Sequence, residues 1–417
     1  MDLPLNKNKP LVMHIDLNSC FATVEQQANS HLRGKPLVIA AYETPNGCVV
    51  SPSIEAKRYG IKTGMTVREA RLLCKDVIVR DPDPDLVRDV HVKFKSIFKD
   101  YSPSVTPKSI DEAIIDFHGM ERVIQRGLEN IAQEIKDRLR KEVGEWISCN
   151  VGISTNRFLA KLAAGLHKPD GLDVITHQNL RETYKSLTLV DLPGINTRFE
   201  ARLNAQGIFS PLDFLDAPML LLKKQVFQSI VGYYWYQRLR GFEVDAMDFD
   251  RKSYGQDYSL KTHTNNPQEL AKIIMKLCEK MGRRLRKGGF VSYGIHIACL
   301  YYDGTYWHRG RKTSQSLFTT QELYRKALYV INQRDDKEKK VSKMSVSCYD
   351  LSKSDSIQTS LFEDEGKERK VSKAIDEINN KYGEFVVTPA LMMGMDTVII
   401  DRISFGNVKE LQNLYEE

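Results

Sequence analysis

Three acidic residues stand where metal-assisted phosphoryl chemistry could use them: Asp16, and the adjacent pair Asp111 and Glu112. Phosphoryl transfer needs in-line positioning and compensation of charge on phosphate oxygens rather than covalent help from the protein. Two divalent ions about 3.5–4 Å apart can supply that compensation, and magnesium takes hard oxygen ligands, so a few carboxylates suffice to hold them. Taken singly, acids of this kind are more often solvated surface residues or helix caps, and Asp-Glu neighbours are common. On its own the triad is weak evidence.

The elements that would position these acids can be read from periodicity. Leu11, Met13, Ile15 and Leu17 alternate with Val12, His14, Asp16 and Asn18, a strand pattern with one buried face that aims Asp16 to the less apolar side. Consecutive residues on a regular strand point to opposite sides, so Asp111 and Glu112 can share one metal pair only if the chain bends there. A hairpin over Tyr101–Phe117 holding Ser109-Ile110-Asp111-Glu112 permits that bend. Helices are expected over Val87–Tyr101, from Arg122 to Val143 and from near Asn156, with a strand over Ile147–Ile153. This order describes an α+β core sheet. Ser51-Pro52 reads as the start of a short helix that bears Glu55, Lys57 and Arg58 and ends at Gly60. Residues 180–245 read as helical, interrupted at Leu192-Pro193-Gly194-Ile195 and Gln206-Gly207-Ile208. Strand character returns from Lys252, in a second, small and basic α+β unit. A polar linker over Ser352–Ile357 and a tail with one amphipathic helix follow.

Composition narrows the classes. At 417 residues, and at ~100–200 residues per domain, two to four domains are expected. A hydrophobic content of 41% is ample for packed cores. No apolar run approaches the ~20 residues of a membrane span, and the opening MDLPLNKNKP lacks a secretory apolar stretch, so a cytoplasmic protein with no membrane partner is expected. Seven scattered cysteines without CxxC spacing argue against a zinc site or a disulfide framework. Sixty-one basic against 54 acidic side chains give a net charge of +7, mild evidence for a polyanionic partner. Its distribution says more, because Arg283-Arg284-Leu285-Arg286-Lys287 and His308-Arg309-Gly310-Arg311-Lys312 are dense enough for phosphate contacts. A solvated helix face is the competing explanation.

Four ordered motifs then match one family. They are Asp16-Leu17-Asn18-Ser19-Cys20-Phe21-Ala22-Thr23-Val24-Glu25; Ile54-Glu55-Ala56-Lys57-Arg58-Tyr59-Gly60; Ser109-Ile110-Asp111-Glu112; and Gly152-Ile153-Ser154-Thr155-Asn156-Arg157-Phe158-Leu159-Ala160-Lys161, continuing to His167-Lys168-Pro169-Asp170-Gly171. In these the chain resembles the Y-family translesion DNA polymerases, in particular the UmuC-like bacterial branch. The resemblance implies a multidomain α+β, right-hand polymerase fold. Its parts would be a palm (1–19 and 83–174), fingers (20–82), a helical thumb with a helix-hairpin-helix (175–245), a little finger (252–351), and a linker and C-terminal tail (352–417). It implies Asp16, Asp111 and Glu112 as catalytic carboxylates holding two Mg2+ ions, with the Leu17 carbonyl assisting. Phe21 matches the steric gate against a sugar 2′-hydroxyl, and Lys57 and Lys168 match positions that hold the incoming triphosphate. The commoner family pattern has Tyr-Glu-Ala-Arg where this chain has Ile54-Glu55-Ala56-Lys57, replacing a bidentate arginine by a point charge. Asn18 stands where many relatives carry a second aspartate.

Further implied contacts are DNA binding at Gly194, in the helix-hairpin-helix turn, together with Arg283, Arg284, Arg286 and Lys287 of the basic run. A sliding-clamp peptide is implied at Gln358, Ser360, Leu361 and Phe362, an extended segment with two apolar anchors. The partners implied are primed template DNA, deoxynucleoside triphosphates and the clamp, with a UmuD-like subunit or a recombinase filament open for the tail. The activity implied is low-fidelity, template-directed extension past damage, in the cytoplasm at the nucleoid. Its rivals are a non-catalytic DNA- and clamp-binding accessory of the same fold and another two-metal palm enzyme, such as a nucleotide cyclase or nuclease.

Overall fold

The computed structural model describes residues 3–122, 124–246, 251–354, 365–395 and 398. The chain forms two compact units that part between residues 246 and 251. The first unit opens with β1 (Val12–Leu17), α1 (Cys20–Ala28), β2 (Leu37–Ala40), β3 (Val49–Pro52), α2 (Ile54–Arg58), α3 (Val67–Leu73) and β4 (Ile78–Arg80). It continues through α4 (Pro84–Lys99), β5 (Val105–Pro107), β6 (Glu112–Asp116), α5 (Leu128–Arg138), β7 (Cys149–Ser154), α6 (Arg157–Leu166) and β8 (Leu172–Val174). Short helices follow: α7 (Leu180–Lys185), α8 (Thr197–Asn204), α9 (Pro211–Asp216), α10 (Met219–Leu221) and α11 (Val231–Arg238).

Five strands make the central sheet in the order β5-β6-β1-β7-β8, antiparallel except for the last pair. β1 therefore lies in the middle, the position that most restricts a side chain. Sequence alternation assigned it one buried face, but both faces are covered. Met13 and Ile15 pack into a core with Phe94 and Phe98 of α4 and Ile131 and Ile135 of α5. On the other side Val12 clusters with Ile114 and with Ala160 of α6, and His14 is buried as well. Asp16 is the one residue of β1 that is not fully buried.

A separate sheet, β3-β2-β4, has its own small core around Val38, Ala56 and Ile61. Ser51 and Pro52 end β3 rather than starting a helix; the cap of α2 is Ser53, whose hydroxyl accepts from the Ala56 N–H. The helix expected from Arg122 begins at Leu128 and passes into a π-helical turn over Leu139–Val143. The region from α7 to α11 gathers around Trp235, with Phe158, Phe214 and Phe227 against its ring.

The second unit contains β9 (Ser253–Thr264), α12 (Pro267–Lys287), β10 (Phe290–Tyr301), β11 (Tyr306–Leu317), α13 (Thr320–Ile331), β12 (Val341–Lys353) and α14 (Glu365–Tyr382). Its antiparallel sheet runs β11-β10-β12-β9, and α12 and α13 cover the face bearing Ile295, Ile297, Val346 and Cys348. Among the described residues no helix is long and apolar enough to cross a membrane.

Candidate active site

Register places the acids. Asp16 lies opposite Glu112 across the β1–β6 ladder and opposite Asn150 across the β1–β7 ladder. Asp111 stands just before β6, on a turn closed by the N–H groups of Lys108 and Ser109 donating to the Glu112 carbonyl at 2.8 and 3.2 Å. The Asp111 carbonyl accepts from the Leu17 N–H at 2.9 Å, which stitches this turn to the end of β1. Asp111 thus escapes the strand alternation that would have separated it from Glu112.

The three acids lie close enough for their charges to act on one another. Burial pushes the Asp111 carboxyl up from 3.8 to about 6; the Ser109 hydroxyl, 2.5 Å from Oδ1, opposes this, and the charges of Asp16 and Glu112 add to it. The Asp16 carboxylate is ion-paired with Lys168. Glu112 receives Lys161 Nζ at 2.7 and 3.0 Å on its two oxygens. His14 Nε2 lies 3.7 Å from Glu112, but burial, and then the charge of Lys161, push His14 down to about 3, so it is neutral near pH 7. Two lysines and a serine hydroxyl therefore engage the acids directly. Among the described residues no group of three His, Cys, Asp or Glu side chains is gathered as a ready metal cage. The donor set is nonetheless all hard oxygen, and mutual repulsion at a buried carboxyl is what a cation relieves.

Lys57, on α2, is held below its ordinary value, first by partial burial and then by Lys168, with Asp16 opposing, although much of the residue is open to solvent. Lys57, Lys168 and Asp16 therefore feel one another's charge. Phe21 is 1% exposed and packs in the main core with Leu17 and Cys20, so its ring is embedded rather than open to a cleft. Sequence reasoning passed over Lys161, Ser109, His14 and Asn150. Ser109 and Lys161 stood within the matched motifs, and Lys161 is the one cation in the apolar stretch Phe158–Leu166 of α6.

The anticipated DNA contacts fare differently. Gly194 has φ 95°, a left-handed conformation suited to glycine, and its turn leads to α8, whose cap Asn196 accepts from the Arg198 and Phe199 N–H groups. Arg283 and Arg286 do not form an open phosphate-binding row. Arg286 is a nearly buried side chain forked onto Asp376 of α14 at 2.5 and 2.8 Å, and Arg283 reaches Asn380 at 2.9 Å and Glu384 at 3.2 Å. Acidic and amide partners about a hundred residues downstream claim them. Arg284 donates to the Gly255 carbonyl, and Lys287 is exposed. On the sheet face turned away from α12 and α13 the register instead lines up Lys312, Gly294 and Tyr349, and His308, Ala298 and Ser345. Gln358, Ser360, Leu361 and Phe362 lie outside the described residues.

Residues 15–165 match a family model described as the impB/mucB/samB family, and residues 251–361 match that family's C-terminal domain. A DNA polymerase IV of Pelotomaculum thermopropionicum is 32% identical over 396 residues, covering 94% of this chain and 97% of the relative. A DNA polymerase IV of Bacillus anthracis is 29% identical over 386 residues, covering 90% and 92%. Among solved structures, a Dbh-based Y-family DNA polymerase chimera aligns with a TM-score of 0.72 over 82% of this chain and 99% of its own, at 23% identity. DinB from Sulfolobus solfataricus aligns at 0.52 over 81% and 98%, also at 23% identity. The structural likenesses bear on fold, and the full-length sequence match on kinship: the chain belongs to the impB/mucB/samB family, the Y-family translesion DNA polymerases.

Proposed function

We propose that this DNA-directed DNA polymerase extends a primer 3′ end past damaged template, releasing pyrophosphate, with Asp16, Asp111 and Glu112 holding two Mg2+ ions beside the Leu17 carbonyl. The observation that carries this reading is the register of Asp16 opposite Glu112, with Asp111 on the adjoining turn. Bound there, the ions would activate the attacking oxygen and stabilise the leaving one. Lys57 and Lys168 would neutralise charge on the incoming deoxynucleoside triphosphate as it shifts toward pyrophosphate. Phe21, in the first turn of α1, would act as the gate against a sugar 2′-hydroxyl, which requires its embedded ring edge to be uncovered as the nucleotide binds. Lys161, bonded to both carboxylate oxygens, and His14 beside it would orient Glu112.

Primed template would bind through Gly194 and the turn before α8, and through the exposed face of the second unit's sheet, where His308 lies and where Lys312 would exchange its exposed partner Asp350, 2.7 Å away, for phosphate. These contacts go to phosphate and carry little sequence information. The palm (1–19 and 83–174), fingers (20–82), thumb (175–245) and little finger (252–351) are part of the same proposal. Lys57 and the internal position of Gln358, Ser360, Leu361 and Phe362 support a UmuC-like branch and clamp binding, whereas the curated relatives bear the name DNA polymerase IV. A UmuD-like or recombinase partner of the tail belongs to the same proposal, as does a cytoplasmic, nucleoid-associated location.

The test is extension of a primer on damaged and undamaged templates with Mg2+ omitted and then restored. Extension should appear only with metal, with primed template and past the lesion. Turnover of nucleotides without primed template would indicate a cyclase-like enzyme instead. Absence of extension with the clamp present would favour a non-catalytic accessory.

A further inference from the structure

Lys168 sits on the turn Lys168-Pro169-Asp170-Gly171, between α6 and β8. That turn is held from behind. Asp170 adopts φ 60°, a left-handed conformation that costs an L-residue energy and that aspartate tolerates better than most. At Gly171 a Cβ would come within 2.1 Å of the His167 carbonyl oxygen, so only glycine fits. Lys136, on α5, is 5% exposed, and its ammonium donates to the Asp170 carbonyl at 2.5 Å and to the Gly171 carbonyl at 3.4 Å. The same nitrogen lies 3.2 Å from Asp170 Oδ1, while Arg140, in the π-helical turn after α5, is ion-paired with Asp170 Oδ2. On the other flank Asn150, 1% exposed, accepts from the Gly171 N–H at 3.0 Å and donates to Asn18 Oδ1 at 2.6 Å. Asn18 lies two residues beyond Asp16, so one chain of hydrogen bonds runs from the end of β1 to the turn that presents Lys168.

Burying an ammonium is costly unless it is well engaged, and an apolar residue at position 136 would fill the same space without that cost. What the charge adds is fixed placement of two carbonyls in one turn. Among the described residues the side-chain hydrogen bonds of Lys136 go to that turn alone. We infer that Lys136, supported by Arg140 and Asn150, is a positioning residue for the incoming triphosphate, acting through Lys168 by fixing the turn that carries it. The inference rests on the reading of Lys168 as a triphosphate contact.

Single-nucleotide incorporation by the full chain tests it, with KM and kcat measured for K136M, R140Q, K168A and the double variant K136M/K168A. K136M should raise KM for the deoxynucleotide about tenfold while changing kcat less than about twofold, the signature of lost nucleotide binding. R140Q, which removes the half-exposed partner, should raise KM about two- to threefold. Once Lys168 is gone, K136M should add less than about twofold, because residues acting through one another are not additive. A purely structural Lys136 would lower kcat as well and would add its full effect in the K168A background; either result overturns the inference. If K168A raises KM and neither K136M nor R140Q does, the positioning role is wrong and the Lys168 reading stands. If K168A leaves KM unchanged, the Lys168 reading fails and takes the inference with it. Should K136M not fold, R140Q and R140Q/K168A carry the same comparison.

Discussion

Asp111 is half-buried beside two other acids, and its carboxyl is raised from 3.8 to about 6. A carboxyl raised in the folded state favours folding only while protonated, so its contribution is present below about pH 4 and lost as pH rises through about 6. Without divalent metal, Asp111→Asn should therefore stabilise the protein by on the order of 2–3 kcal/mol near neutral pH, with the advantage vanishing toward about pH 4. Paired thermal melts of the two proteins across that range check this; an advantage that does not depend on pH would contradict it. The same substitution should abolish extension, so that stability and activity move in opposite directions. Phe21 poses the opposite case. At 1% exposure its truncation to alanine should cost about 3–5 kcal/mol whatever else it does. As a gate it should also raise the ratio of ribonucleotide to deoxynucleotide incorporation by about tenfold or more. Loss of stability with an unchanged ratio would leave Phe21 a core residue only.

At the scale of elements, the site depends on β1 being central and on α6 lying close against it. Gly152 of β7 makes that approach possible, since a Cβ there would stand 2.0 Å from the Ala160 carbonyl oxygen and 2.2 Å from the Ala164 nitrogen. Gly152→Ala should cost about 3 kcal/mol by forcing α6, and Lys161 with it, off the sheet. A denaturation midpoint equal to that of the parent would show that the contact is soft. The elements also explain what could be read in advance. The alternation at Leu11–Asn18 exposed β1 and the outlook of Asp16, because one face was strictly apolar. The cover over Val12 and His14 was hidden, because it comes from α6, far along the chain. Asp111 and Glu112 posed a strand-geometry conflict that only the Ser109–Asp111 turn resolves. Lys136 and Asn150 were invisible because their partners are backbone groups brought near by the fold. The arginines of α12 read as phosphate contacts because Asp376 and Glu384, which bind them, follow a polar linker that broke the pattern.

For the whole molecule, kinship along nearly the full chain and a Y-family fold fix the class of reaction. The first unit carries the acids and lysines. With a net charge of +7 for the chain, and phosphate contacts proposed for the exposed sheet face of the second unit, affinity for primed DNA should fall steeply with added salt. The proposed chemistry rests on three carboxylates: Asp16 on β1, Asp111 on the turn before β6 and Glu112 at the start of β6. The most direct measurement is Mg2+-dependent primer extension by the parent and by Asp111→Ala plus Glu112→Ala, with binding to primed DNA measured on the same preparations. The double variant should bind DNA and extend nothing. Extension by the double variant at the parent's rate would contradict it.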